Sequence, residues 1–246
     1  MNSLVRGLCA IVLLASPHAA LPATPSPEPA PESTSAARTV YLVRHGHYAP
    51  DPAIDEKVGP ALSPIGVAQA RLVGARIGAL PVQFDGLFAS PMQRARDTAA
   101  IIAGDLDDAR FSVVDDLAEC TPPTRDATVM AKQQPADLAA CRAQFDRAFA
   151  RFFQPAQGRE RSDLLVCHGN VIRSLVVRAL GVDAEAWLAM SVGHASITKI
   201  RIQPDGSFKV IAVGDVGHLP PNLLTGASGD PDRSLAIPTL PRAEAK

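Results

Sequence analysis

The chain has 246 residues, 47% of them hydrophobic and 20% charged, with a formal net charge of -1. That length builds one well-buried domain and is short for two large ones. The near-neutral balance and the absence of a Lys/Arg run exclude the basic face that a nucleic-acid binder presents.

Arg6 is the only charged residue before Glu28, an apolar run spans Leu8 to Ala15, and small residues and prolines follow through Ala19, Ala20 and Ala23. This layout predicts a secretory signal peptide over residues 1–23, cleaved near Ala20 or Ala23, and hence a periplasmic or secreted protein. The apolar run is too short for an ordinary span, so no membrane helix is expected after cleavage; an uncleaved N-terminal anchor is the competing reading. Residues 24–37, rich in Pro, Ser and Ala, are expected to be a solvated linker, residues 38–225 the folded domain, and residues 226–246 a flexible tail. Of four cysteines, Cys9 would leave with the signal. Cys120, Cys141 and Cys167 remain; export permits a Cys120–Cys141 bridge, and free buried thiols are the alternative. No cysteine spacing resembles a zinc site.

Thr39 to Val43 is a continuous β-prone run, as in a strand buried on both faces of a parallel sheet. Ser63-Pro64 caps and opens a helix that Pro81 ends. Phe84 to Ala89 reads as a second strand, after which Ser90-Pro91 repeats the capping signal for a helix to about Ala103. A short strand at Phe111 to Val114, a helix from Ala136 to Phe153, a buried strand at Asp163 to Cys167 and a helix from Val171 to Leu180 follow. Ile197 to Ile202 and Phe208 to Val213 flank Pro204-Asp205-Gly206 as a hairpin. Alternating strands and helices predict an α/β domain, a three-layer sandwich with a mixed, mostly parallel sheet. Ligands of such sheets bind beyond the carboxyl ends of the strands.

Three of those ends carry unusual polar residues: Arg44-His45-Gly46-His47, Ser90-Pro91-Met92-Gln93-Arg94, and His168-Gly169-Asn170. Arg44 and Arg94 can fork two phosphate oxygens. The helix after His168 points its first amides, among them those of Gly169 and Asn170, at the same place. A neutral imidazole inside a positive pocket is a competent nucleophile toward phosphorus. Glu119, after the third strand, is the candidate acid and base, with Asp115 and Asp116 as nearby substitutes. A metal pair at His45 and His47 is disfavoured by the flanking arginines. His47 and Tyr48 are expected to line the entrance, and His194 and His218 to be structural.

In these motifs the chain resembles the histidine phosphatase superfamily, also called phosphoglycerate mutase-like, over about Thr39 to Leu223. The motifs are Arg44-His45-Gly46, Leu62-Ser63-Pro64-Ile65-Gly66, Ser90-Pro91-Met92-Gln93-Arg94-Ala95 and Cys167-His168-Gly169-Asn170. The C-terminal third, from CHGNVIRSLVVRAL through Ser196–Thr198 to the GDVGHLPP stretch at Gly214, is similar to the family's mitochondrial serine/threonine phosphatase branch. The resemblance implies that His45 becomes phosphorylated, that Arg44, Arg94 and His168 hold the phosphoryl oxygens, that Glu119 is acid and base, and that no metal and no organic cofactor is needed. The implied substrate is a phosphoprotein or a small phosphate ester. Asp51 stands where many members have asparagine, and long insertions between Asp85 and Glu119 are lacking; both features favour an open-site phosphatase. The alternatives are a mutase-like phosphotransferase and a non-catalytic phospho-ligand module. Neither the oligomeric state nor the particular substrate is legible.

Overall fold

A computed structural model describes residues 34–226, residue 108 apart. The segments read as signal peptide, most of the linker and nearly all of the tail lie outside the described residues. Among the described residues there are eight strands: β1 Ser35–Ala36, β2 Arg38–Arg44, β3 Gly86–Ala89, β4 Ser112–Val113, β5 Ala156–Gln157, β6 Arg161–Cys167, β7 Ile197–Ile202 and β8 Phe208–Asp215. The helices are α1 Pro64–Gly78, α2 Gln93–Ala103, the single turn α3 Ala127–Met130, α4 Pro135–Phe152 and α5 Gly169–Ala179.

The main sheet has six strands in the order β4-β3-β6-β2-β7-β8. β4, β3, β6 and β2 run parallel, and the β7–β8 hairpin joins antiparallel to β2. The sheet is therefore mixed and mostly parallel. β2 and β6 carry continuous apolar runs, Val40 to Val43 and Leu164 to Cys167, because both of their faces are covered. Val40, Leu42, Leu165 and Cys167 pack with Phe145, Phe152, Ile172 and Leu175 of α4 and α5. Tyr41, Val43, Leu164 and Val166 pack with Val73, Ile77, Ala99 and Ile102 of α1 and α2 on the opposite side. Burying each such aliphatic side chain is worth about 1.5–3 kcal/mol.

Local signals set most boundaries. Ser63 caps α1, its hydroxyl accepting from Gly66 N–H with Pro64 at the first helical position. Gly46 and Gly66 meet back to back: a Cβ on Gly66 would lie 2.0 Å from His47 O, so only glycine lets the start of α1 abut the turn after β2. Two expectations need correction. Ser90 does not cap α2; Met92 takes the N-cap position with no side-chain bond, because Ser90 is buried at the end of β3 and turned to a histidine. The ordered fold also starts before residue 38, since β1 pairs with β5 and Ala37 is buried.

Cys120 and Cys141 form a disulfide between the loop after β4 and α4, with Cα atoms 5.8 Å apart. Of the two readings left open by the sequence, the bridge is the one present. Cys167 is a free, buried thiol whose pKa burial pushes up.

Candidate active site

The ends of β3, β6 and β2 are neighbours in the sheet, and their next residues enter one concave site. Ladder-like hydrogen bonds continue past the strands: His45 N–H donates to Cys167 O at 2.9 Å, and Ser90 N–H to Val166 O at 2.9 Å. The His45 and His168 rings end 4.9 Å apart, both buried.

His45 Nδ1 lies 2.7 Å from Gly46 O, and its Nε2 lies 3.1 Å from Arg94 Nε. A carbonyl only accepts and a guanidinium only donates, so Nδ1 carries the proton and Nε2 carries a lone pair facing the site. Burial, then the charges of His168, Arg44, His194 and Arg94, hold the His45 pKa well below its ordinary value. The imidazole is thus neutral and nucleophilic in mildly acidic solution.

Arg94 sits in the first turn of α2 and leans back over the sheet edge. Tyr48 covers its guanidinium, with Cζ 4.7 Å from the ring centroid. Gly59, at φ +69, makes room for it: a Cβ there would stand 2.4 Å from Arg94 Nη1. Gly59→Ala is expected to displace Arg94 and lower kcat/KM by about 10- to 100-fold, as ångström-scale misplacement does. Comparing kcat/KM with the melting midpoint checks this; a folded variant with unchanged kcat/KM would remove Arg94 from the site.

Arg44 is held on one side by the protein itself. Nη1 donates to Val192 O at 2.6 Å and to Gly226 O at 2.9 Å, and Nη2 to His194 Nε2 at 3.0 Å. Its Nε is buried without a partner. The edge formed by Nε and the second Nη2 hydrogen can fork an anion. Gly169, the first residue of α5, lies against it, a Cβ there being 3.5 Å from Arg44 Nε.

His168 Nε2 is 2.7 Å from Ser90 Oγ, which also accepts from Met92 N–H at 3.3 Å. Its Nδ1 is buried without a hydrogen-bond partner and lies 3.8 Å from Glu119 Oε2. Buried polar atoms without partners typically cost about 1–3 kcal/mol each, and Arg44 Nε and His168 Nδ1 border the same site. Arg44 Nε–H fits an anion oxygen, as does His168 Nδ1 in the tautomer that carries the proton there.

Glu119 faces His168, its side chain 24% exposed, and its Oε1 accepts from Asn170 N–H at 3.2 Å. Burial pushes its pKa up to about 7, against the opposing pull of Arg44, Arg94, the Asn170 N–H and Arg173. The two other carboxylates considered lie elsewhere: Asp116 pairs with Arg147, and Asp115 is exposed. Asn170, expected to donate to phosphate, turns toward the Glu119 loop instead. Its amide nitrogen donates to Cys120 O at 3.1 Å and its backbone N–H to Glu119, because the start of α5 packs beside that loop.

His47 donates its backbone N–H to Gln69 Oε1, and its Nδ1 is bonded to Ser63 Oγ. The sequence reading missed His194 as a neighbour of the site. Its ring is 5.3 Å from that of His45, it accepts from Arg44, and its Nδ1 is bonded to Thr225 Oγ1 at 3.0 Å. Burial and Arg44 push its pKa down to about 2. Ala195 beside it adopts φ 54, a costly conformation for alanine, fixed by its N–H donating to Arg44 O and His45 O. His218 holds this loop from behind, its Nε2 bonded to Ala195 O at 2.9 Å. Among the described residues, no group of three or more His, Cys, Asp or Glu is arranged to hold a metal ion.

The histidine phosphatase superfamily (branch 1) matches residues 40–215 of the chain. The chain is 35% identical over 199 residues to the mitochondrial serine/threonine-protein phosphatase Pgam5 of Caenorhabditis elegans, a match covering 79% of this chain and 68% of that protein. It is 33% identical over 194 residues to the mouse protein of the same name, covering 77% and 67%. The crystal structure of a phosphoglycerate mutase from Plasmodium falciparum superposes with a TM-score of 0.53 at 26% identity, covering 75% of this chain and 95% of that one. The mitochondrial placement of these relatives overturns the expectation of a periplasmic or secreted protein. The N-terminal segment that prompted it carries Arg6 and no acidic residue before Glu28. The chain belongs to the histidine phosphatase superfamily, on the branch that holds the Pgam5 phosphatases, and it is a phosphatase.

Proposed function

We propose that the enzyme hydrolyses phosphomonoesters in two steps through a phosphohistidine at His45, without a metal. The observation that carries this reading is the fixed tautomer of His45, whose Nε2 lone pair faces a site bordered by the unpaired Arg44 Nε–H and by His168. In the first step Nε2 attacks phosphorus, the P–O ester bond breaks, and Glu119 gives its proton to the departing oxygen. In the second, Glu119 takes a proton from water as the water oxygen attacks phosphorus. The P–N bond breaks, its electron pair returns to Nε2, and phosphate leaves.

Arg44, Arg94, His168 and the Gly169 amide at the start of α5 hold the phosphoryl oxygens and stabilise the charge that spreads over them. As the phosphoryl group arrives, its oxygens take over the Arg94 N–H that faces His45. Metal independence is supported by the two guanidinium groups beside His45, which repel a cation and supply the positive charge a metal would bring. The serine/threonine-protein phosphatase relatives support a phosphoprotein as substrate, with small phosphate esters as the other class the site admits.

The test is p-nitrophenyl phosphate turnover with and without excess chelator. Equal rates are expected. A chelator-sensitive rate restored by a divalent ion would replace the metal-free reading with a metal-assisted one.

A further inference from the structure

We infer that the Cys120–Cys141 disulfide is a positioning device for the general acid, fixing Glu119 over the phosphoryl site by riveting its loop to α4. The inference rests on the assignment of Glu119 as acid. It starts from how little else fixes the loop. The Asp115–Leu117 turn holds itself with two bonds, Leu117 N–H to Val114 O and Ala118 N–H to Asp115 O. Glu119 has no place in a sheet ladder, and its own N–H meets Met92 Sδ, a weak acceptor, at 3.4 Å.

One face of α4 supplies the rest, through residues spaced three apart. Gln144 Nε2 donates to Ala118 O at 2.8 Å and to Asp116 O at 3.4 Å. Arg147 pairs with Asp116, but its side chain is 62% exposed, so solvent weakens that contact. Cys141, buried in the α4 core, bonds covalently to the residue that follows Glu119. From the other side, Asn170 of α5 donates its amide to Cys120 O and its backbone N–H to the Glu119 carboxylate. The sulfur of Cys120 is thus anchored on α4 while the neighbouring carboxylate is presented on α5, facing His168. Without the bridge, the backbone on either side of Glu119 is tied to α4 and α5 by two neutral hydrogen bonds, from Gln144 to Ala118 O and from Asn170 to Cys120 O, beside the weak one to Met92 Sδ.

A structural bridge and a positioning bridge give different kinetics. A general acid matters for an alcohol leaving group and hardly at all for p-nitrophenolate. The experiment measures kcat/KM for an alkyl phosphate and for p-nitrophenyl phosphate, across pH, in wild type, in Cys120→Ala/Cys141→Ala and in Glu119→Gln. The double variant is expected to lose about 10- to 100-fold on the alkyl ester, as misplacement of a catalytic group does, with p-nitrophenyl phosphate hydrolysis changed by no more than about threefold. The basic limb of its profile should move to lower pH as Glu119 becomes hydrated.

Wild type treated with a dithiol provides a second arm. Two electrons and two protons pass to the S–S bond, giving two thiols, while the dithiol closes to a cyclic disulfide. The same selective loss is expected, and the double variant should ignore the reagent. Unchanged selectivity, or equal losses on both substrates in both arms, overturns the inference and leaves the bridge a purely structural one. If Glu119→Gln itself loses both substrates equally, the acid assignment fails, and the inference with it.

Discussion

His45→Ala is expected to lower turnover by on the order of 10⁴-fold or more, the scale seen when a nucleophile is removed from a covalent mechanism. The other imidazoles cannot take over, because each is committed. His168 is bonded through Nε2 to Ser90, with its remaining nitrogen beside Glu119. His194 is spent on Arg44 and Thr225, and His47 is bonded to Ser63. The variant should also fail to form the acid-labile phosphoenzyme that rapid quenching of wild type traps. The fold should persist, since β2 and β6 pair along their whole length without the ring. A folded His45→Ala enzyme within tenfold of wild type, or one that traps phosphate on His168, would end the assignment.

The parts of the site legible from the sequence are those that follow directly from a strand. Val40 to Val43 of β2 is a continuous apolar run because helices cover both faces, so the polar break at Arg44-His45 marks where the sheet stops and the site starts. The same break follows β6 at His168. β3 is shorter and half-buried, and its end is marked by Ser90 and Arg94. These breaks place His45, His168 and Arg94 together because β3, β6 and β2 are adjacent, an arrangement that the alternation of strands and helices already favours.

Illegible are the contacts closed across long separations by single side chains. Ser90 followed by proline has the signature of a helix cap, and nothing local shows that its hydroxyl is needed by a histidine 78 residues later. His194 lies in a loop with no periodicity, brought to Arg44 by the β7–β2 pairing. The β1–β5 pair is two residues long, too short for any periodic signal.

Glu119→Gln is expected to separate substrates by leaving group. Glutamine keeps the size of the side chain and can still accept from Asn170 N–H, but it has no proton of carboxylic acidity to give. For an alkyl phosphate, kcat/KM should fall by about 10²- to 10⁴-fold, the usual worth of a general acid. For p-nitrophenyl phosphate the first step should be nearly unaffected, because that leaving group departs as an anion. The pH dependence gives the sign. With its pKa pushed up to about 7, Glu119 is protonated and able to donate below that value and ionised above it. Wild-type kcat/KM on the alkyl ester should therefore be flat from mildly acidic solution to about pH 7 and fall tenfold per unit above it. The acid side should stay flat because His45 remains neutral there, its pKa held low by burial and the surrounding positive charge. In Glu119→Gln the basic limb should vanish. If it persists unchanged, another group gives the proton, and Glu119 is left as an electrostatic neighbour of His168.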